Sequence, residues 1–234
     1  MTVILLRHGR STANTALTLA GRTPGVALDQ TGRTQAQDLC QRLAGLPVEA
    51  VVRSPLRRCR ETVEPLASLL GVDPIVEQDL IEVDYGTWTG RTLTDLAAEH
   101  MWSVVQQHPS SAAFPEGESL AGMATRAVNS IRLHDRALAE KSGRDVLWVA
   151  CSHGDVIKAV IADAYGMHLD HFQRIVVEPA SMSVVRYTPH RPFVLRVNDT
   201  GGDLASLRGE PAGHVGDATA GDASSDAVPG GNVP

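Results

Sequence analysis

The chain has 234 residues, 43% of them apolar, enough to enclose one substantial core. A formal net charge of −6 without a basic stripe argues against a nucleic-acid partner. No apolar run approaches the length of a membrane span, and the first one is met at once by Arg7, so neither a membrane partner nor a leader is expected. The three cysteines, Cys40, Cys59 and Cys151, lack metal-ligand spacing and read as reduced thiols in a cytoplasmic protein.

In chain order, Val3-Ile4-Leu5-Leu6 reads as a short buried strand that stops where Arg7-His8-Gly9-Arg10-Ser11-Thr12-Ala13-Asn14 begins. Ligands of an open α/β sheet bind beyond the carboxyl ends of its strands, and Gly9 removes a side chain where backbone and ligand would approach. Arg7 offers a fixed fork of donors for an anion, and His8 a nucleophile or base. Taken alone, this dipeptide is better accounted for as a solvated strand end.

Residues 21–25 are rich in turn formers. Thr31 is the predicted N-cap of a helix to about residue 44, with Ala36, Leu39, Cys40 and Leu43 on one face and Gly45 and Pro47 closing it. A second strand spans 50–53. The helix predicted over 56–70 carries a stripe of Cys59, Val63, Leu66 and Leu70, with Pro65 as a site for a kink. Residues 74–77 form a candidate short strand, 80–90 a charged loop, 93–107 one helix, 108–117 a break and 119–141 the longest helix, with Leu120, Ala124, Ala127, Val128, Ile131 and Leu138 on one face. A strand over 146–151 delivers a second His-Gly, His153-Gly154, and runs into a helix over 155–165 whose inward face is Val156, Ile157, Val160, Ile161 and Ala164. Two last strands, 182–187 and 193–197, are joined by a turn at 189–192 short enough to require antiparallel pairing.

Strands alternating with helices predict an α/β fold: a three-layer α/β/α sandwich with a mostly parallel central sheet and an antiparallel C-terminal strand. Residues 1–197 form the expected domain. From Asn198 the composition turns to Gly, Ala, Asp, Ser and Pro, so residues 198–234 are expected to be a disordered acidic tail, and the Asn198-Asp199-Thr200 sequon is given no meaning.

Four segments, Arg7-His8-Gly9, SPLRRCRET at 54–62, LIEVDYGTWTG at 80–90 and CSHG at 151–154, together resemble the histidine phosphatase superfamily, the phosphoglycerate mutase-like fold, in the family's order. The resemblance implies that His8 is the nucleophile that forms a phosphohistidine. It also implies that Arg7 and Arg58 hold the phosphate, that His153 hydrogen-bonds the phosphoryl group, that Glu82 is the proton donor, and that Asn14 is an amide donor near the phosphate. The chemistry agrees: phosphoryl transfer needs a nucleophile in line, cations around the equatorial oxygens and an acid at the leaving group, and nearby cations keep an imidazole neutral. From chemistry alone Asp84, on the same loop, remains the alternative acid. Arg57 and Arg60 read as a solvated helix face, and Thr62 as a packing or capping residue. Pro115-Glu116-Gly117-Glu118-Ser119 resembles a family loop at the site's rim, or is only a helix start.

Two departures matter. Arg10 stands where the family has Glu or Gln, and it either meets a second acidic group of a substrate or turns outward. The interval from Glu82 to His153 is too short for the insertion with which phosphoglycerate mutases enclose their bisphosphoglycerate cofactor. The resemblance therefore implies a metal-independent phosphomonoesterase, without cofactor, acting on small phosphorylated metabolites such as sugar phosphates, phosphoglycerates, phosphoserine or α-ribazole phosphate. A phosphoglycerate mutase is the alternative, and a non-catalytic phospho-ligand binder the third reading. Family precedent makes a homodimer a candidate assembly. The remaining histidines, His100, His108, His134, His168, His171, His190 and His214, lack clustered partners, so no metal site is expected.

Overall fold

The structure, a computed structural model, describes residues 1–202; the rest of the predicted tail, 203–234, lies outside the described residues. Its middle layer is a six-stranded sheet of β1 (Thr2–Arg7), β2 (Val48–Arg53), β3 (Ile75–Val76), β4 (Leu147–Ser152), β5 (Met182–Tyr187) and β6 (Pro192–Asp199). The strand order is β3-β2-β4-β1-β5-β6. β3, β2, β4 and β1 run parallel, while β5 and β6 are antiparallel, in agreement with the sandwich predicted from the alternation. β6 extends two residues past Val197, the end expected for the domain.

The near-continuous apolar runs of β1 and β4 follow from burial on both faces. Val3, Leu5, Val52, Trp148 and Ala150 point to one side, where they pack with α6 (Leu120–Ser142) and α7 (Gly154–Tyr165) through Met123, Ile131, Ile157 and Ile161. Ile4, Leu6, Val51, Val149 and Cys151 point to the other, against Leu39 of α2 (Gln30–Arg42) and Cys59, Val63 and Leu66 of α3 (Arg57–Leu70). Each such aliphatic side chain withdrawn from water contributes roughly 1.5–3 kcal/mol, so two facing clusters fix which side of each strand faces which layer.

Three predictions are corrected. Asp29, not Thr31, caps α2: its Oδ1 accepts from the Gly32 amide at 2.7 Å, while the Thr31 hydroxyl accepts from Arg10. The single helix expected over 93–107 is two, α4 (Leu93–Ala97) and α5 (His100–Gln107). The break at Ala98-Glu99 lets Leu96 and Val105 both reach the core and returns the Glu99 carboxylate to Arg91 at 2.6 Å. Asp155 and Lys158 are buried with the rest of 154–162, so α7 has no solvent face along that stretch, contrary to the one-sided pattern read from the sequence. α3 continues through Pro65, which forfeits one helical hydrogen bond against the burial of Val63, Leu66 and Ala67 around it. Ser119 caps α6 through the Gly122 amide at 3.0 Å.

The loop after β1 is held by the first turn of α2, backbone against backbone. A Cβ on Gly32 would fall inside the van der Waals envelope of the Arg10 carbonyl. Alanine there would gain about 1 kcal/mol of helix propensity, but the clash must be relieved by moving backbone, so overpacking dominates. Gly32→Ala is expected to cost roughly 2 kcal/mol net and to lower the Tm by about 4–8 °C. An unchanged or raised Tm in thermal unfolding would show that propensity decides the position.

Candidate active site

β1 and β4 pair so that Arg7 faces Ser152, which sets His8 and His153 side by side one residue beyond the two strand ends. The His8 amide donates to the Ser152 carbonyl at 3.0 Å and the two imidazoles meet edge to face, centroids 5.2 Å apart. β2 ends beside them, and the Ser54 hydroxyl lies 2.7 Å from His153 Nε2. α3 then begins and in its first turn lays Arg58 against His8.

His8 Nδ1 is 2.8 Å from the Gly9 carbonyl oxygen, which can only accept, so Nδ1 carries the proton and Nε2 the lone pair. Arg58 Nε donates to that Nε2 at 3.2 Å. Burial first, and then the charges of Arg58 and Arg7, hold the imidazole well below its ordinary pKa, so the ring is neutral near pH 7. The same causes, with His8 in addition, depress His153. Arg58 donates through Nη2 to the Gly21 carbonyl at 2.9 Å, while its Nη1 and His153 Nδ1 are buried without a hydrogen-bond partner in the protein. Buried unsatisfied groups are rare and cost about 1–3 kcal/mol each. Arg58 Nη1 is thus a donor left over on the guanidinium that touches His8, and an anion bound there would satisfy it. Arg7 is wholly buried, donates to the Val177 carbonyl at 2.6 Å and is lowered by that burial to about 10, so it remains a cation.

Glu82 faces this group. Its Oε1 accepts from the Val83 amide at 2.9 Å and its Oε2 lies 3.8 Å from His153 Nδ1. Burial, and secondly the negative charge of Asp155, raise the Glu82 carboxyl to about 7 against the opposing pull of Arg58 and Arg7. A group with that pKa can give and take a proton at neutral pH. Asp84 is not brought in: its Oδ1 accepts from the Gly86 amide at 3.1 Å and its Oδ2 faces Arg22 at 3.4 Å. The loop carrying both carboxylates is anchored by Glu118, whose Oε1 accepts from the Asp84 amide at 2.9 Å, from Arg22 at 2.8 Å and from Arg126 at 2.6 Å. Gly86 makes the anchorage possible, because at φ +51° it sits against the Pro115 carbonyl where a Cβ has no room. Pro115–Ser119 is thus both a loop support and a helix start.

Asn14 lines the cleft, with its Oδ1 held by the Ser11 amide at 3.0 Å and hydroxyl at 2.8 Å, which leaves the amide nitrogen as the side chain's donor. Arg10 is not brought to the cleft. Its Nε donates to Asp29 at 2.6 Å and its Nη2 to Thr31 at 2.7 Å, so the helix cap that sequence reasoning misassigned is also what turns this arginine away. Arg57 pairs with Glu61 on the outer face of α3 at 2.6 Å. Thr62 accepts from the Gly9 amide at 2.9 Å and donates to the Arg58 carbonyl at 2.7 Å, fastening the loop after β1 to α3. Cys59 is buried, its Sγ 3.6 Å from His153 Nε2. Among the described residues no group of three His, Cys, Asp or Glu side chains is arranged to hold a metal ion, and no helix is long and apolar enough to cross a membrane.

Sequence reasoning passed over Ser54, Gly21, Arg22 and the layer behind Glu82. Ser54 had a signal, since it too follows a strand; Gly21 and Arg22 had none beyond a turn-rich stretch. Behind Glu82, Tyr85 donates to Asp155 at 2.9 Å, and Lys158 lies 3.7 Å from Asp155 and donates to Gln173 at 3.0 Å. A lysine and an aspartate inside an apolar helix were the legible sign. Because the Asp155 charge helps keep Glu82 protonated, the isosteric Asp155→Asn is expected to bring the Glu82 midpoint below about 7, read by carbon NMR of labelled carboxyl groups. An unmoved or raised midpoint would assign the shift to burial alone.

Residues 3–200 match the model of the histidine phosphatase superfamily, branch 1. Similar chains include phosphoserine phosphatase 1 of Hydrogenobacter thermophilus, 27% identical over 203 residues and covering 85% of this chain and 92% of that one. Another is the probable phosphoglycerate mutase GpmB of Erwinia tasmaniensis, 28% identical over 209 residues, 88% of this chain and 94% of the other. The structure of a mycobacterial glucosyl-3-phosphoglycerate phosphatase in complex with VO3 shares the fold at a TM-score of 0.77 and 23% identity, covering 85% of this chain and 99% of its own. With the family match spanning nearly every described residue, the chain belongs to the histidine phosphatase superfamily, branch 1.

Proposed function

We propose that this phosphatase hydrolyses small phosphomonoesters through a phosphohistidine at His8 Nε2, without metal or cofactor. One observation carries the reading: the only lone pair left on the His8 ring faces buried guanidinium donors, with a carboxyl of pKa about 7 beside it. In the first step Nε2 attacks phosphorus, the ester P–O bond breaks, and protonated Glu82 gives its proton to the departing oxygen. In the second, Glu82 as carboxylate takes a proton from water, the water oxygen bonds to phosphorus, and the N–P bond breaks to return a neutral His8 and inorganic phosphate. Arg58, Arg7 and His153 spread the charge of the equatorial oxygens, and Asn14 adds an amide donor.

Hydrolysis is favoured over mutase transfer because the stretch between Glu82 and His153 is taken up by α4, α5, α6 and β4, with no long insertion to enclose a bisphosphorylated cofactor. A non-catalytic binder would have no use for a carboxyl tuned to give up a proton at neutral pH. The pKa of Glu82 makes this an acid phosphatase in behaviour, and the unpaired Cys40, Cys59 and Cys151 support a reducing, cytoplasmic setting.

His8→Ala is expected to abolish turnover of p-nitrophenyl phosphate in the presence of chelator and to remove the acid-labile phosphoryl label from trapped enzyme. Wild-type rates in that variant would take the reaction away from His8. The form of Glu82 needed first is the protonated one, so kcat/KM for an alkyl phosphate is expected to fall as pH rises through about 7. His8, neutral far below its ordinary pKa, adds no acid limb near neutrality. Glu82→Gln should erase the alkaline limb and cost roughly 10²–10⁴-fold on alkyl esters but much less on p-nitrophenyl phosphate, whose leaving group needs no proton. An equal loss on both esters would argue against Glu82 as the acid.

A further inference from the structure

From the phosphatase reading above, on which this rests, we infer the substrate class: the cleft takes esters of uncharged, largely apolar alcohols and disfavours esters carrying a second carboxylate or phosphate, with Leu17 as a specificity-determining residue. Beyond His8, Arg58 and Glu82, Ala13, Leu17, Leu19, Ala20 and Leu93 form one wall of the cleft, and Ser11, Asn14, Thr18 and Tyr85 also line it. This wall is braced. The Leu93 amide donates to the Leu17 carbonyl at 2.9 Å, the Leu19 amide to the Arg91 carbonyl at 2.9 Å, and the Gly90 amide to the Leu19 carbonyl at 2.8 Å. Its backbone groups are thereby spent on each other, the Thr18 hydroxyl donates to the Ala16 carbonyl at 3.1 Å and the Ser11 hydroxyl to Asn14, so on this wall the side chains not already engaged are mainly alkyl.

The surrounding cations point the same way. Arg10 is paired with Asp29 at 2.6 Å, Arg22 with Glu118 at 2.8 Å, Arg57 with Glu61 at 2.6 Å and Arg91 with Glu99 at 2.6 Å. Arg7 and Arg58 serve the phosphoryl group itself. A second acidic group on the substrate would lose its water against an apolar wall and find each of these arginines already neutralised, which is how a site rejects a ligand.

Leu17 supplies an independent observation. Its φ is +49°, a left-handed backbone that costs a non-glycine residue about 1–2 kcal/mol, and its side chain is 52% exposed. Glycine or asparagine would make the same turn at less cost, and so little burial returns little of it. The side chain stands at the rim of the cleft, where an apolar leaving group would cover it.

The test compares kcat/KM of the full chain for butyl, phenyl and ethyl phosphate with that for phosphoserine and 3-phosphoglycerate. The apolar esters are expected to lead by roughly tenfold or more. Leu17→Gly relieves the backbone, so its Tm should hold or rise while the butyl-to-ethyl ratio falls roughly three- to tenfold. Leu17→Arg should raise 3-phosphoglycerate relative to butyl phosphate. Phosphoserine or 3-phosphoglycerate turned over as well as the apolar esters, or an unchanged ratio in Leu17→Gly, would overturn this inference and leave the phosphatase reading standing. Absence of turnover of every ester, with no phosphohistidine, would overturn both.

Discussion

The parallel pairing of β1 with β4 is the constraint from which the site follows. With Arg7 opposite Ser152, two strands that meet only in the fold end at the same level, and each delivers a histidine one residue later. A slip of one residue would send the side chains of β1 to the wrong faces, exchanging Val3 and Leu5 with Ile4 and Leu6 between two separate apolar clusters. The register that buries the core is thus the register that juxtaposes the imidazoles. Precision at the site is inherited from packing some distance below it.

Burial does the chemical tuning. Arg7, Arg58, Glu82, Asp155 and Lys158 are each at most 4% exposed, and ions so placed carry a desolvation cost of several kcal/mol that mutual attraction only partly offsets. That cost moves His8 down and Glu82 up, leaving a neutral base beside a carboxyl that shares its proton at pH 7. The cations do opposite work on the two groups: they help to depress the imidazole but oppose the rise of the carboxyl, where burial and Asp155 prevail. A fold with smaller apolar layers could not hold so many charged groups out of water, so the two clusters flanking the sheet are a condition of the proposed chemistry.

Around this charged centre the second tier of residues acts mainly by occupying one another. Glu118 gathers Arg22, Arg126 and the Asp84 amide, and so sets the Glu82 loop while removing two cations from circulation. Asp29 does the same to Arg10 as it caps α2. At the mouth a short, self-paired backbone ladder carries Leu17, Leu19 and Leu93. The two ends of the cleft therefore differ in kind: the end at His8 keeps an unsatisfied guanidinium donor, while the end at Leu17 has its backbone groups paired with one another.

By itself the sequence determined the layer order, the strands that stop at His8 and His153, the basic turn carrying Arg58, and the carboxylate pair on the 80–90 loop, because strand length, apolar alternation and punctuation by Gly and Pro are local properties. Only the tertiary structure put Glu82 rather than Asp84 beside His153, turned Arg10 away, broke the 93–107 helix, buried Asp155 and Lys158, and brought Gly21 and Ser54 into the cleft. The physical reason is common to these. Each depends on which partner a side chain finds outside its own element, as Arg10 finds Asp29, Glu82 finds His153, and Leu96 and Val105 find the core, and that is set by packing that no short stretch of chain contains.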